Sequence, residues 1–455
     1  MMPRKALAEA EGDTNLSPRR RAWSETQLDE LTRALVQRDA RVFLRQSVST
    51  PCLSAIRHAE GIWIEDLQRR RYMDLHGNNV HHIDYAHPRL IDAIRRQMDE
   101  LSFAPRRYTC APAVELAEKL VDIPPAGLGK VWFAPSGSDA IEMALAYARA
   151  ATGWFKTISF WDSYHGAGFA ARSIGGEVMF RSGPIGPLLS GTKHVPPFGD
   201  YRNAWGVTEG SDELCVRMIR YILGKEGDIA AVIAEPVRAV PYVPPAGFWP
   251  AVRQACNGFG TLLIFDEIPT GLGKTGKMFA CQHDEVVPDI LVLAKSLGGG
   301  ILPIASMICR PEIDVCGSFA FGHYTHQKNP VTTRAGLTTL QIIEDEQLVA
   351  NAAHVGAVDL RRLREMMDRH PLLGDVRGRS CLMGAELVVD RTTRAPACDA
   401  AGAVLYQALN RGLNFKTTMG NVLTLNHHSS SPSVRCFRPW RFSRHRSVKQ
   451  SWRWG

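Results

Sequence analysis

The sequence has no apolar run approaching the eighteen or so residues needed to cross a bilayer, so nothing in it reads as a membrane span. Its ten cysteines are scattered, without a C-x-x-C pair or a repeated spacing. That excludes a disulfide framework or a zinc cluster and fits reduced thiols in the cytoplasm. The opening "MMPRKALAEAEGDTNLSPRRRAW" is basic but lacks the apolar stretch of a secretory signal. Acidic residues are missing from positions 426–455, which hold seven Lys/Arg. This segment carries most of the formal charge of +8, so the first 425 residues are almost neutral. A neutral body argues against a nucleic-acid partner.

What is present is a chain of 455 residues, 45% apolar, long enough for one large and one smaller domain. Ser24 with Gln27 resembles a capping box and predicts a helix through Leu28, Leu31, Leu35 and Val36. "GIWIEDLQRRRYMDLHG" reads as two short strands around a charged turn. Beyond residue 88 or so, strands alternate with helices. Helices are expected over 88–101, 112–121, 138–151 and 247–258, and strands over 131–133, 157–161, 229–234, 261–265, 290–294 and 304–308. Several of these strands are apolar throughout, as in strands covered on both faces, which predicts an α/β domain with a mostly parallel sheet. The expected division is an N-terminal helix and small-domain segment over 1–87, a large α/β domain over 88–330, a smaller α+β domain over 331–425 and a basic tail over 426–455. The tail has no amphipathic period and is crowded with Ser, Arg and Trp. It reads as a poorly ordered, non-native end, such as a shifted reading frame would give.

The stretch "FDEIPTGLGKTGKMF" looks at first like a phosphate loop, but the glycine required five residues before Gly273 is Ile268. The chemistry therefore lies elsewhere, at the carboxyl ends of strands, where open α/β sheets bind their ligands. Three such ends stand out. "VWFAPSGSDAIEMALAYARA" is a strand, a Ser136-Gly137-Ser138 turn and a helix capped by Ser138 or Asp139, a phosphate site by amides and dipole. "TLLIFDE" leaves Asp266 at a strand end, and "DILVLAKSLGGG" leaves Lys295 just past a buried strand. Burial lowers a lysine's pKa and favours the nucleophilic amine. Each alone is an ordinary cap, turn carboxylate or surface lysine. Together they are a phosphate anchor, an acid for a pyridinium nitrogen and a Schiff-base lysine, the set that pyridoxal 5'-phosphate requires.

On these residues the chain resembles the class III pyridoxal-phosphate aminotransferases from about Gly61 to Leu425. The resemblance implies a fold type I α/β architecture and a cytoplasmic homodimer acting on a small amine. The family's phosphate turn stands here as "SGSDA", giving Ser136, Gly137 and Ser138 that role. "SYHGA" implies Tyr164 stacked on the cofactor ring, with His165 and Gly166 beside it. "AEP" puts Glu235 in the site wall. "DEIPTGLGKTG" assigns Asp266 to the pyridine nitrogen and Ile268 to the underside of the ring, and Lys295 matches the catalytic lysine. "THQKNP" implies that Thr325 reaches the phosphate of the neighbouring subunit, so that the dimer shares its sites.

Two departures bear on the reaction. Pro269 stands where the family has a glutamine whose amide contacts the cofactor's ring hydroxyl, and proline cannot supply that bond. After "NVLTL" the family's closing strand and helix are replaced by the basic tail, which predicts weak folding or poor activity. The family default is amino transfer. "LHGNNVHHIDYAHPRL", "FAPRRYTC", "FDEIPTGLGKTG" and "FGHYTHQKNPVT" also resemble a subgroup acting as (R)-1-hydroxy-2-aminoethylphosphonate ammonia-lyases. There Lys295 would remove the proton beside the nitrogen, hydroxide would leave the next carbon, and phosphonoacetaldehyde and ammonia would follow. Arg106, Arg107 and Arg238 are candidate forks for the phosphonate, or else ordinary solvated arginines. The non-enzymatic alternatives are an inactive relative and a nucleic-acid binder acting through the basic tail.

Overall fold

The computed structural model describes residues 17–46, 49–181, 184–207, 210–430, 441–442 and 452–453. It divides into two compact units. One takes in the chain up to Gly77, Asp84–Ala86 and everything from Asn351 onward; the other holds Asn78–Ile83 and His87–Ala350.

The first unit is built from both ends of the chain. Its N-terminal helix, Pro18–Gln27, starts earlier than the Ser24 capping box predicts. Ser17 accepts from the Arg20 amide and Pro18 takes the first helical position, so Ser24 falls in the helix interior. The chain turns extended at Leu28, and Asp29 caps a second helix, Glu30–Val42, by accepting from the Thr32 amide. Leu28 is buried as its apolar character requires, whereas Leu31 and Leu35 are exposed. Strands β1 (Ile56–Glu60), β2 (Trp63–Asp66) and β3 (Arg71–Asp74) then form an antiparallel meander.

The second unit contains seven strands: β4 (Lys130–Ala134), β5 (Lys156–Phe160), β6 (Thr192–Val195), β7 (Ile229–Ala234), β8 (Leu262–Asp266), β9 (Ile290–Leu293) and β10 (Ala305–Cys309). Their order is β4-β10-β9-β8-β7-β5-β6. Only β10 runs against the others, pairing antiparallel with both β4 and β9. β7 ("IAAVIA") and β9 ("ILVL") are buried at every position, as expected of strands covered on both faces. Each such Ile, Leu or Val contributes about 1.5–3 kcal/mol by burial. β6 and the helix Ser211–Glu226 have no counterpart in the sequence reading, because "TKHV" shows neither alternation nor a continuous apolar run.

This unit extends past the expected boundary at 330. The helix Pro330–Asp345 packs on Pro88–Glu100 and Ala111–Asp122. A Cβ on Gly336 would lie 2.8 Å from Leu116 Cδ2, so the approach to Ala111–Asp122 is close. Among the described residues, no helix is long and apolar enough to cross a membrane.

The rest of the first unit is a second antiparallel sheet, ordered β11-β12-β15-β14, where β11 is Leu373–Arg379, β12 Leu382–Leu387, β14 Lys416–Thr418 and β15 Val422–Asn426. The short β13, Leu413–Asn414, instead pairs parallel with β3 and joins the two ends of the chain. Trp23, Leu28, Leu363, Met383 and Leu425 are among the residues of one apolar core here. The tail behaves differently from expectation over its first five residues. The Asn426 amide donates to Leu75 O at 2.7 Å and the His427 amide to Cys381 O at 2.9 Å. His427, His428 and Ser429, which follow β15 directly, are buried. Beyond Ser430 the described residues form only a short ladder, Arg441–Phe442 with Trp452–Arg453. The expected disorder of the remaining tail lies outside the described residues.

Candidate active site

Because six of the seven strands run the same way, their carboxyl ends collect at one edge of the sheet. Ser136 follows β4, Tyr164 and His165 follow β5, Glu235 follows β7, Asp266 ends β8 and Lys295 follows β9. Gly137 shows how tightly three of these ends meet. A Cβ built on it would lie 2.8 Å from Ile268 Cδ1 and 3.4 Å from the Cβ of Ala294. The turn after β4, the segment after Asp266 and the residue before Lys295 therefore converge at Gly137.

The helix over Gly137–Thr152 is capped by Ser136, not by Ser138 or Asp139. Ser136 Oγ accepts from the Asp139 amide at 3.2 Å and donates to Asp139 Oδ2 at 2.6 Å. Serine is extended there, which the first helical position, taken by Gly137, is not. Ser138 Oγ turns sideways and accepts from the Ala167 amide at 3.0 Å.

The two acids of "FDE" have separate tasks. Glu267 Oε2 and Oε1 accept from the amides of Ala280 and Cys281 at 2.6 and 2.7 Å, at the start of a 3-10 turn. Burial pushes its carboxyl up to about 7, against the pull of those two amides. Asp266 faces the site instead: its Oδ2 lies 2.8 Å from His165 Nδ1, and its Oδ1 accepts from the Ile268 amide at 3.1 Å. His165 Nε2 is buried without a hydrogen-bond partner. Glu235 is buried and accepts from the Ala239 amide at 2.8 Å. Burial raises its carboxyl above the usual range, and the neighbouring Asp266 charge adds to this.

Lys295 is half-buried and left-handed (φ 48°), opening a 3-10 turn that runs to Gly298. Tyr164 is 40% exposed, with its ring centroid 4.4 Å from that of Phe180. Thr325 is exposed. Its neighbour Tyr324 hydrogen-bonds Asp139, in the first turn of the helix Gly137–Thr152. Pro269 is buried and offers no donor.

The three candidate arginines are not brought together. Arg238 is buried beside Glu235, lines a cleft with Trp161, Ser163 and Tyr242, and pairs with Glu177 Oε2 at 3.1 Å. Arg106 is exposed, with Nη2 at 3.3 Å from Tyr324 O, and Arg107 is exposed as well. Sequence reasoning missed Glu142, whose Oε1 accepts from the Ala171 amide at 2.9 Å. A signal was available: Glu142 stands four residues after Ser138, on the same helix face.

The arrangement fits pyridoxal 5'-phosphate. The first-turn amides of the helix after Ser136 lack intrahelical partners and suit a phosphate. The buried His165–Asp266 pair suits a protonated ring nitrogen, and Lys295 is an amine at the mouth of the same edge. Among the described residues no group of three or more His, Cys, Asp or Glu could hold a metal ion.

The model of the family described as "Aminotransferase class-III" matches residues 45–430. The chain is 42% identical over 433 residues to an (R)-1-hydroxy-2-aminoethylphosphonate ammonia-lyase of Vibrio splendidus, covering 92% of this chain and 90% of that one. It is 35% identical over 404 residues to a leucine/methionine racemase of Thermococcus litoralis, covering 86% and 90%. An aminotransferase structure from Bacillus anthracis superposes with a TM-score of 0.81 at 30% identity, over 90% of this chain and 96% of the other.

Proposed function

The chain belongs to the class III aminotransferases and is a pyridoxal-phosphate enzyme, and from that premise we propose that it is an ammonia-lyase acting on (R)-1-hydroxy-2-aminoethylphosphonate. One observation carries this choice. Identity to the lyase, 42% across nearly the whole of both chains, exceeds the 35% to the racemase. Pro269 agrees with it, since the usual glutamine of the transferring enzymes is absent.

Bound pyridoxal 5'-phosphate supplies an electron sink for charge developing at the carbon beside the substrate nitrogen. Asp266, oriented by His165, would hold the proton on the cofactor's ring nitrogen. Ser136, Gly137 and Ser138 would hold its phosphate, Tyr164 and Ile268 would pack against its ring, and Glu235 and Gly166 would complete the wall. Lys295 would hold the cofactor through its amine and would serve as the base that takes the proton from the substrate carbon beside the nitrogen. Hydroxide would leave the neighbouring carbon as water with that proton, the nitrogen would pass a proton to the same carbon, and one water returned on hydrolysis would release phosphonoacetaldehyde and ammonia. The net change is loss of ammonia alone. Arg238 is the best-placed of the three arginines for an anionic substrate, being buried beside Glu235. We place the enzyme in the cytoplasm as a homodimer, with Thr325 serving the partner's phosphate site. The thiols of Cys52, Cys110, Cys215, Cys256, Cys281, Cys309 and Cys316 are free, which agrees with a reducing compartment.

Amino transfer is the second reading, favoured by the likeness to the aminotransferase structure. The two are separated by incubating holoenzyme with the aminophosphonate, with and without a keto acid. Ammonia and aldehyde formed one-to-one without the keto acid support elimination. Product that appears only with the keto acid, and no ammonia, establishes transfer instead.

A further inference from the structure

We propose that Glu142 is a positioning residue that fastens the loop carrying Tyr164 and His165 to the helix whose first turn holds the cofactor phosphate. This rests on the cofactor roles given above to Tyr164 and His165. Ser138 and Glu142 lie one turn apart on the same face of the helix Gly137–Thr152. Ser138 Oγ accepts from the Ala167 amide at 3.0 Å, and Glu142 Oε1 accepts from the Ala171 amide at 2.9 Å. Between these bonds the loop lies flat on the helix. A Cβ on Gly166 would sit 2.6 Å from Ser138 Oγ, and one on Gly168 would sit 2.4 Å from Glu142 Oε1.

The Ala171 amide belongs to the first turn of the short helix Phe169–Ile174, where amides have no intrahelical acceptor. Gly168 at the cap position has no side chain to supply one. Glu142 supplies it from another element, and its charge suits the positive end of that helix. The loop is then held at His165 by Asp266, at Ala167 by Ser138 and at Ala171 by Glu142. Only the last of these anchors has no assigned contact with the cofactor. Glu142 therefore sets the ring-binding residues in register with the phosphate-binding turn without touching either end of the ligand.

The test uses the full chain with E142A, E142Q, G168A and the E142A/G168A double variant. Two quantities are read: the pyridoxal-phosphate dissociation constant, by visible titration of apo protein, and hydrogen exchange at the Ala171 amide. E142A is expected to weaken cofactor binding roughly tenfold, the usual effect of losing one bond to a charged group. It should also accelerate exchange at Ala171, with thermal melting changed little. E142Q should stay close to the parent, since its carboxamide oxygen still accepts. G168A should mimic E142A, because the new methyl displaces the carboxylate, and the double variant should be no worse than either single one. Parent-like exchange in E142A, additive losses in the double variant, or an E142Q as damaged as E142A would each overturn the proposal. A parent protein that binds no pyridoxal phosphate would sink the cofactor assignment instead, and exchange at Ala171 would still decide the role of Glu142.

Discussion

His165 Nδ1 lies 2.8 Å from Asp266 Oδ2, with both side chains buried at the carboxyl edge of the large sheet. The pair joins the ends of β5 and β8, two strands that are not neighbours, since β7 runs between them. A buried carboxylate that loses such a donor keeps its desolvation cost without compensation, about 1–3 kcal/mol. His165→Phe, which preserves ring volume, should lower the melting temperature by several degrees and weaken pyridoxal-phosphate binding by roughly ten- to a hundredfold. A variant with unchanged melting and unchanged cofactor titration would show the pair to be incidental.

The contact between Gly137 and Ile268 gives a second prediction. Alanine at 137 is favourable for the helix itself, yet its methyl would stand 2.8 Å from Ile268 Cδ1. G137A should therefore lose cofactor affinity while the helix persists by circular dichroism. Adding I268V removes the colliding atom and should restore most of that affinity. Failure of the second change to help would mean that Gly137 matters for some other reason.

Shared sites in a dimer can be tested by mixing two inactive proteins. K295A lacks the amine, and T325A is expected to lose phosphate affinity. If Thr325 serves the partner, a mixed dimer contains one site with both residues intact. Co-refolded K295A and T325A should then recover a visible cofactor band and turnover that neither protein shows alone. No recovery, with mixed dimers verified by mass, would return Thr325 to its own subunit.

Asp359 gives a prediction in pH. It is buried, and burial raises its carboxyl from the ordinary 3.8 to about 7, with Arg362 opposing. His427 Nδ1 is 3.6 Å from its Oδ2. Well below pH 3.8 the group is neutral folded and unfolded alike, so it costs nothing. As pH rises from about 4 to 7 the unfolded chain ionises first, and the folded state loses stability relative to it. D359N removes that penalty. It should raise the melting temperature by several degrees at pH 8 and by much less at pH 4.5. Equal gains at both values would mean that the asparagine acts through packing rather than charge.

Much of the large unit was legible because its signals are local. Runs such as "IAAVIA", "LLIF" and "ILVL" read as doubly covered strands and form β7, β8 and β9. Chemistry-bearing residues just after such runs had to emerge at carboxyl ends, and Ser136, His165, Asp266 and Lys295 do. The short β6 escaped notice, since four residues without alternation look like any loop until a neighbouring strand pairs with them. The N-terminal helix starts at Ser17 and Pro18 rather than at Ser24, because the chain turns extended at Leu28, a break that no local pattern marks.

By itself, then, the sequence determined which segments are buried strands, where each ends and which side chain follows, because apolar runs and turn residues act over a few positions. Tertiary structure alone decided how those ends are shared out. It set β10 against its neighbours and paired β13 with β3 across most of the chain. It gave Glu267 to backbone amides and Asp266 to His165, although the two acids are adjacent in sequence. It also joined Glu142 to the Ala171 amide, 29 residues on. These are contacts between distant segments, and their geometry follows from strand order and packing rather than from any local pattern.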